Sequence, residues 1–320
     1  MAWPPQSPDL NIIESVWDYK KRHKQLKQLN RYKNCGKFSK KLVVATMRNL
    51  ERREALERAA GETLNTSLEI RQLDATYEDS IRECVNSLPD RRVDVLVNNA
   101  GMGMIGPLEC QSVSAMQELF NTNFFGLVRL VKEVLPEMKR RQNGHIVVMS
   151  SVLGIQGMLF NDVYAASKFA VEGFCESLAL QAMKFNVKMT LVEPGPVITE
   201  FERKVYKEAE NMDLSETDEE TAQIFRQIYL PNSHKVFTSI GQTPEEVAEQ
   251  TLQLIVSKNP PFRHLTNRLY IPLTAMKQAD PTGRLPIDAF YKITFQHNRM
   301  FRASLWIMRM LQRSKGQGAA

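Results

Sequence analysis

The sequence of 320 residues lacks several features that would assign it to a class at once. It has no signal-peptide pattern and no apolar run of about 20 residues, the length that spans a bilayer, so we predict neither secretion nor a transmembrane helix. Its four cysteines, Cys35, Cys84, Cys110 and Cys175, show no C-x-x-C or paired spacing. Isolated cysteines favour reduced thiols in the cytosol, and we predict neither disulfides nor a metal site.

The net charge of +6 is concentrated near the two ends of the chain. A basic block runs from Lys20 to Lys37, and a solvated surface explains it more simply than a nucleic-acid partner, which we do not expect. Residues 300–313 interleave arginines with large apolar side chains. This pattern fits a helix that lies on a membrane or one that covers a pocket. We predict a cytosolic protein or one bound peripherally to the cytosolic face of a membrane.

Between these ends, short apolar runs alternate with helical stretches. The runs are Leu42–Thr46, Leu68–Leu73, Val93–Asn98, His145–Ser151 and Met189–Val192. Such alternation predicts an α/β fold in which helices cover a parallel sheet. It includes one long amphipathic helix, Ala115–Arg141, and we predict the acidic stretch 208–220 as a loop, either a mobile substrate loop or a plain surface loop. We assign residues 38–313 to one domain, preceded by an unrelated basic segment, 1–37, and followed by a polar tail, 314–320.

Tyr164 and Lys168 are the most informative pair, because residues four positions apart on a helix share one face. A free phenol ionises near pH ~10, and a fixed ammonium beside it brings the pKa toward the working range. Ser151, at the end of a predicted strand, can hydrogen-bond the same substrate oxygen. The trio predicts proton transfer to or from an alcohol while a hydride moves to or from a nicotinamide.

The motifs around this trio have a characteristic order. They are Asn98-Asn99-Ala100-Gly101, Asn123, Ser151, Tyr164-x-x-x-Lys168 and Pro194-Gly195. From about Phe38 onward the sequence resembles the short-chain dehydrogenase/reductase family. The resemblance implies a Rossmann-like, doubly wound parallel sheet. It also implies that Tyr164 donates and accepts the proton and that Lys168 lowers the pKa of Tyr164 and holds the nicotinamide ribose. Ser151 would polarise the substrate oxygen, and Asn123 would hold a relay water.

The resemblance also implies which residues contact the dinucleotide. In this fold an acidic residue after the second strand binds the ribose 2′-hydroxyl of NAD, whereas an arginine accommodates the 2′-phosphate of NADP. This chain has Arg48 there and no carboxylate, which predicts NADP(H) as the cofactor. The other implied contacts are Asp74 for adenine, Asn99, Ala100 and Gly101 for the adenosine ribose, and Pro194, Gly195, Val197 and Thr199 around the nicotinamide.

The pyrophosphate-binding turn of this family is missing from the sequence. Its pattern, T-G-x-x-x-G-x-G, should precede Leu42–Thr46, but the only glycine before that run is Gly36. Residues 18–41 also lack the apolar alternation of a first strand. We therefore expect weak dinucleotide binding, and an inactive remnant is one alternative function. Residues 3–17 instead resemble the end of a mariner-like transposase, where Glu14 matches one of three metal-binding acids. Because a two-metal nuclease needs its full carboxylate set, we expect no transposition.

Within the family, the sequence resembles the branch that includes retinol and estradiol 17β-dehydrogenases. The residues that carry this likeness are Phe160–Tyr164, Glu193–Val197 and Asp280–Gly283. Steroid-type members grip the distal steroid hydroxyl with a histidine where this chain has Asn232 and a glutamate where it has Ile293. The replacements make the far pocket more apolar, which favours a retinoid. The implied function is NADP(H)-dependent retinol oxidation or retinal reduction, with steroid oxidoreduction as the alternative and a homodimer by analogy.

Overall fold

The computed structural model describes residues 43–297 and Ile307. Its strands are β1 (Val43–Met47), β2 (Leu68–Gln72), β3 (Val95–Asn98), β4 (Gly144–Met149), β5 (Val187–Glu193) and β6 (Arg263–Leu265). Every pairing between these strands is parallel. The predicted α/β fold with a parallel sheet is confirmed.

Helices fill the connections between the strands and form the C-terminal part of the described chain. They are α1 (Glu54–Ala60), α2 (Glu78–Asn86), α3 (Val113–Phe120), α4 (Gly126–Arg141), α5 (Asp162–Met183), α6 (Glu200–Glu210), α7 (Glu219–Gln223), α8 (Leu230–Ile240), α9 (Pro244–Val256), α10 (Ile271–Ala279) and α11 (Arg284–Tyr291). No helix in residues 43–297 is both long enough and apolar enough to cross a bilayer.

The central strand β4 shows how the sheet is covered on both faces. All six of its residues are buried. Ile146 and Val148 pack into the cluster that includes α4 and α5, whereas Val147 and Met149 pack into the cluster that includes α9. Successive side chains of a strand point to opposite faces, so both faces of this strand are apolar, as expected for a buried parallel strand.

The described strands form two separate sheets. One has the order β1-β2, and the other has the order β3-β4-β5-β6. In the doubly wound fold, the first strand lies between these two groups. Val43 of β1 is 40% exposed and Val95 of β3 is 37% exposed, although both belong to strands that are interior in that fold. The division falls where the sequence pattern predicts no first strand.

Two local predictions differ from the structure. The stretch Ala115–Arg141, predicted as one helix, is divided by a π-helical turn, Asn121–Phe125, between α3 and α4. The acidic stretch 208–220, predicted as a loop, contributes to the end of α6 and the start of α7. Segments 1–37 and 314–320 lie outside the described residues, as does 300–313 apart from Ile307.

Candidate active site

Helix α5 carries two of the predicted catalytic side chains on one face. Lys168 Nζ lies 5.7 Å from the centroid of the Tyr164 ring. The same ammonium group donates a hydrogen bond of 3.0 Å to the carbonyl oxygen of Met149, the last residue of β4. The helix is therefore fixed to the carboxyl end of the central strand through the lysine itself.

Ser151 reaches the site from the end of β4. Its backbone is extended, and its hydroxyl accepts a hydrogen bond of 3.1 Å from the N–H of Leu153, within the short 3₁₀ turn Val152–Gly154. A hydrogen bond between the Ser151 and Tyr164 side chains lowers the pKa of the phenol. The structure thus brings Ser151, Tyr164 and Lys168 together, as the sequence predicts.

The acidity of Tyr164 differs from the sequence-based expectation. Burial raises the pKa of Tyr164 above its ordinary value, the charge of Glu202 adds to this rise, and only the Ser151 hydroxyl acts in the opposite direction. Burial also lowers the pKa of Lys168 to about 8. The ammonium group points to Met149 rather than to the phenol oxygen, so its charge does not offset the burial of the phenol.

Asn123 holds the loop after β3 against α5. Its Oδ1 accepts a hydrogen bond of 2.6 Å from the N–H of Met102, and its Nδ2 donates to the Met102 carbonyl at 2.9 Å and to Ser167 Oγ at 3.1 Å. Asn123 lies in the π-helical turn, and such turns often occur at functional sites because they redirect one side chain. All three of these hydrogen bonds join the Asn123 amide to protein groups. The predicted relay water would therefore bind next to this side chain without replacing any of them.

Asn99, Ala100 and Gly101 form the loop that follows β3. A Cβ atom built on Gly101 would lie 3.5 Å from Asn123 Oδ1 and 3.9 Å from Lys168 Nζ. The glycine therefore lets the backbone pass directly beside the catalytic lysine. At the end of β3, the buried Oδ1 of Asn98 has no hydrogen-bond partner within the described residues.

The predicted nicotinamide segment follows β5. The carbonyl of Pro194 accepts a hydrogen bond of 2.9 Å from the N–H of Val152, which ties this turn to the Ser151 segment. Val197 is buried, and Thr199 caps α6 through a bond from the Glu202 N–H. Gly195 is required here, because a Cβ atom would lie 2.6 Å from the Tyr270 ring.

Arg48 and Asp74 lie beside the ends of β1 and β2. The carbonyl of Arg48 accepts a hydrogen bond from the Gln72 side chain. Asp74 Oδ1 accepts from the N–H and the hydroxyl of Thr76, which shapes the turn before α2. The next residue, Ala75, packs against Gly126 at the start of α4, so this edge is joined to the Asn123 turn.

These observations test whether the residues present fit a dinucleotide. The unpartnered Asn98 amide oxygen and the close approach of Gly101 to Lys168 fit the nicotinamide and ribose half of NADP(H). No turn within residues 43–297 has the T-G-x-x-x-G-x-G pattern expected to bind the pyrophosphate. The described residues therefore fit the nicotinamide and its ribose well, and they fit the pyrophosphate poorly.

A cluster of aromatic side chains packs beside the start of α5. Phe160 contacts Phe225 and Tyr229 edge-to-face, with ring centroids 5.0 Å and 5.3 Å apart. Asn161 Nδ2 donates a hydrogen bond of 2.8 Å to the Tyr229 hydroxyl, which fixes this ring beside the start of α5. Apolar residues of α6 and of the π-helical turn Ile224–Tyr229 complete the cluster. Phe160 and Phe225 are buried, so this cluster is an apolar core beside α5.

The two predicted specificity residues have different surroundings. Asn232 is half-buried on α8, next to Ser233, whose hydroxyl is hydrogen-bonded to Tyr206. Ile293 is 37% exposed on the π-helical turn Lys292–Gln296, so it is not enclosed in a pocket formed by the described residues.

Two residues that the motifs did not indicate also face the site. Burial raises the pKa of Glu202 to about 7, and its charge acts on Tyr164, Tyr206, Tyr229 and Tyr270. Tyr270 covers Gly195, and its buried hydroxyl has no hydrogen-bond partner within the described residues. Thr199 is a favourable N-cap residue, and its position three residues before Glu202 is a sequence signal for a helix that begins with Glu202 in its first turn.

Comparison with known proteins identifies the family. The sequence profile of short chain dehydrogenases matches residues 34–210. Human retinol dehydrogenase 8 is 52% identical over 263 residues, which are 82% of this chain and 84% of that protein. The chain belongs to the short-chain dehydrogenase/reductase family. Human 17-beta-hydroxysteroid dehydrogenase type 1, another similar protein, is 41% identical over 79% of this chain and 77% of its own length.

Solved structures of this family share the fold. The closed form of serine dehydrogenase complexed with NADP⁺ superposes with a TM-score of 0.59 at 27% identity, covering 80% of this chain and 90% of that one. A short-chain dehydrogenase from Streptomyces avermitilis has a TM-score of 0.62 at 24% identity, with 80% and 88% coverage. As a family member, this chain is an alcohol oxidoreductase of the α/β class, as predicted.

Proposed function

We propose that this protein is an NADP(H)-dependent oxidoreductase that interconverts a retinol and a retinal. The observation that carries the proposal is the grouping of Tyr164, Lys168 and Ser151 at the carboxyl end of β4. The 52% identity to human retinol dehydrogenase 8 supports a retinoid substrate.

The chemistry follows from the positions of the side chains. When bound, NADPH would supply a hydride to the carbonyl carbon of the substrate. Ser151 Oγ donates a hydrogen bond to the carbonyl oxygen, and the Tyr164 hydroxyl gives that oxygen its proton. Because burial raises the pKa of Tyr164, the protonated form dominates at neutral pH, which favours its role as the acid in reduction. Lys168, fixed to the end of β4, is placed to bind the ribose.

Cofactor preference and binding residues remain part of the proposal. Arg48, at the end of β1, would accommodate a 2′-phosphate, and Asp74 would contact adenine. Asn99, Ala100 and Gly101 would line the ribose, and the segment from Pro194 to Thr199 would flank the nicotinamide. The NADP⁺ in the related serine dehydrogenase structure supports this preference.

The proposal is tested by turnover of all-trans-retinal with NADPH. We expect the purified chain to reduce retinal, and Tyr164→Phe to lower kcat by about 10²–10⁴-fold, because the proton donor is lost. Tyr77→Phe, a change at an exposed tyrosine outside the site, is the matched control and should leave the rate unchanged. A rate that survives Tyr164→Phe would contradict the assignment.

A steroid is the second candidate substrate, supported by the 41% identity to human 17-beta-hydroxysteroid dehydrogenase type 1. Asn232 and Ile293, in place of the residues expected to grip a distal hydroxyl, favour the retinoid. Direct competition between all-trans-retinal and estrone in one reaction separates the two, because the better substrate has the higher kcat/KM.

We also propose that two copies of the chain associate through α3 and α4. An open groove of about 500 Å³ lies there, away from Tyr164, and is lined by Val113, Met116, Gln117, Phe120, Asn121, Phe125 and Arg129. Val113 is 66% exposed and Phe125 is 49% exposed. Exposed apolar groups in such a patch are typical of an interface. Peripheral membrane contact through residues 300–313, at the cytosolic face, remains a proposal from the sequence.

A further inference from the structure

Arg263 of β6 joins two buried carboxylates behind the catalytic site. Its Nη1 lies 2.5 Å from Glu172 Oε2 and 2.8 Å from Glu193 Oε1. The two carboxylate side chains are only 5% and 3% exposed, whereas Arg263 is 39% exposed. We call Arg263, Glu172 and Glu193 the Arg263 cluster.

The Arg263 cluster adjoins the site on two sides. Glu172 lies four positions after Lys168 on α5, so both side chains are on one face of the helix, and both are buried. Glu193 ends β5 and directly precedes the Pro194–Gly195 turn. A change in the cluster therefore acts on the catalytic lysine and on the nicotinamide segment.

The charged and titratable groups around Glu172 come from four elements. Lys168, Cys175 and Glu176 share α5, Ser150 follows β4, Glu193 ends β5 and Arg263 lies on β6. Burial raises the pKa of Glu172, and the neighbouring Ser150 hydroxyl and Arg263 guanidinium offset part of that rise. Loss of Arg263 would therefore raise the pKa of Glu172 further.

The negative charge of Glu172 favours the protonated form of Lys168. Burial lowers the pKa of Lys168 to about 8, and the only effect that opposes burial is the charge of Glu172. The lysine donates to the neutral Met149 carbonyl and makes no ion pair within 4.0 Å among the described residues. A neutral Glu172 would thus leave the ammonium group buried without a counter-charge.

We propose that Glu172 and Arg263 are positioning residues of this enzyme: Arg263 keeps Glu172 ionised, and Glu172 keeps Lys168 charged beside Tyr164. The effect on turnover rests on the proposed function, whereas the electrostatic coupling does not. Neither residue touches the reacting atoms, and both act through Lys168.

The coupling is measured by titration of the Lys168 side chain in the full chain. Lysine labelled with ¹³C at Cε reports its own ionisation by NMR, and Lys168→Arg assigns the signal. We expect Glu172→Gln to lower the pKa of Lys168 by about one unit, since an opposite charge nearby is removed. Arg263→Gln should lower it in the same direction, and Arg263→Lys should restore most of the difference.

Glu176→Gln is the matched control. Glu176 contacts the same guanidinium at 3.3 Å, but its side chain is 69% exposed, so water screens its charge and the pKa of Lys168 should not move. A folded Glu172→Gln variant with an unchanged Lys168 titration would overturn the proposal. If that variant does not fold, an unchanged titration in Arg263→Gln, whose side chain is partly exposed, overturns it instead.

Turnover provides a separate measurement. In the NADPH-dependent reduction of retinal, the alkaline limb of the kcat/KM profile should move to lower pH in Glu172→Gln by the shift seen for Lys168, and should stay in place in Glu176→Gln. If the NMR shift is found but the parent chain does not turn over retinal, the proposed function fails while the coupling stands.

Discussion

At Glu202, burial raises the pKa of the carboxyl group to about 7, well above its ordinary value. The same carboxylate adds to the raised pKa of Tyr164 and of three other tyrosines, Tyr206, Tyr229 and Tyr270. Near neutral pH, the charge that acts on these four phenols therefore changes with the proton on one side chain.

Glu202→Gln should stabilise the protein at alkaline pH. Because the folded pKa is raised, the native state favours the protonated acid, so the destabilisation is absent below about pH 4.5 and fully present above about pH 7. We expect the free energy of unfolding to rise by about 2 kcal/mol at pH 8 and to change little at pH 4.5. Urea unfolding at both pH values measures this. Glu200→Gln, an exposed residue on the same helix, is the control, and an equal effect there would refute the argument.

The sequence predicted those residues whose relations are local. Tyr164 and Lys168 lie on the same face of α5 because of their helical spacing, and Ser151 follows an apolar strand. Arg263 could not be predicted in the same way, since 91 positions separate it from Glu172 and only the β5–β6 pairing brings them together. The contact of Arg263 with both Glu172 and Glu193 therefore follows from the tertiary structure and has no local sequence signal.

At the scale of elements, the β4–β5 pair contains a buried histidine. His145 Nε2 lies 3.0 Å from Thr190 Oγ1, and that hydroxyl donates its only hydrogen to the Pro261 carbonyl. Thr190 must therefore accept from the histidine, which assigns the proton of neutral His145 to Nε2. Burial, and to a lesser degree the charge of Lys188, lowers the pKa of His145 to about 4.

His145→Gln should make the protein less sensitive to acid. The folded pKa of the base is depressed, so the native state binds fewer protons than the unfolded chain between about pH 6.5 and pH 4, and stability is lost as pH falls through this range. We expect the variant to lose about 2 kcal/mol less than the parent over that interval. The comparison uses thermal or urea unfolding at several pH values. His234→Gln, at an exposed position, serves as control, and parallel curves for parent and His145→Gln would contradict the prediction.

The π-helical turn at Asn123 was missed for a physical reason. One extra residue in a turn scarcely alters the apolar periodicity of 115–141, so the pattern fits an uninterrupted helix equally well. The extra residue places Asn123 inward, where it bonds the Met102 backbone and Ser167.

Asn123→Ala should release the loop that contains Gly101. We expect kcat to fall by about 10²-fold, because the loop and α5 are no longer held in their relative positions. The free energy of unfolding should fall by only about 2 kcal/mol. Steady-state kinetics together with unfolding curves check both. Asn121→Ala is the control, since Asn121 lies in the same turn but its side chain bonds Arg129. Equal kinetic losses in the two variants would show that the turn, and not the Asn123 amide, matters.

At the scale of the whole molecule, the parallel sheet is divided where its cofactor site should be. β1 and β3 each have only one strand neighbour among the described residues, and both carry exposed valines. A parallel strand edge without a partner leaves backbone groups unpaired, and this edge is also where a glycine turn and helix N-terminus would bind the pyrophosphate. The catalytic half of the site, in contrast, is complete, because its residues all lie from Asn98 onward.

This division predicts weak binding of NADPH by the chain of 320 residues. We expect nicotinamide fluorescence titration to give a Kd well above the micromolar range, because the sequence has no T-G-x-x-x-G-x-G turn to supply backbone donors for the phosphates. Replacement of residues 1–42 by an apolar strand followed by a T-G-x-x-x-G-x-G turn should strengthen binding by about 100-fold or more and raise the thermal midpoint. The same replacement with alanine at the three glycines should raise the thermal midpoint but not the affinity for NADPH. This control separates the effect of the added strand on stability from the effect of the glycine turn on phosphate binding. Micromolar affinity in the unaltered chain would show that other residues bind the phosphates.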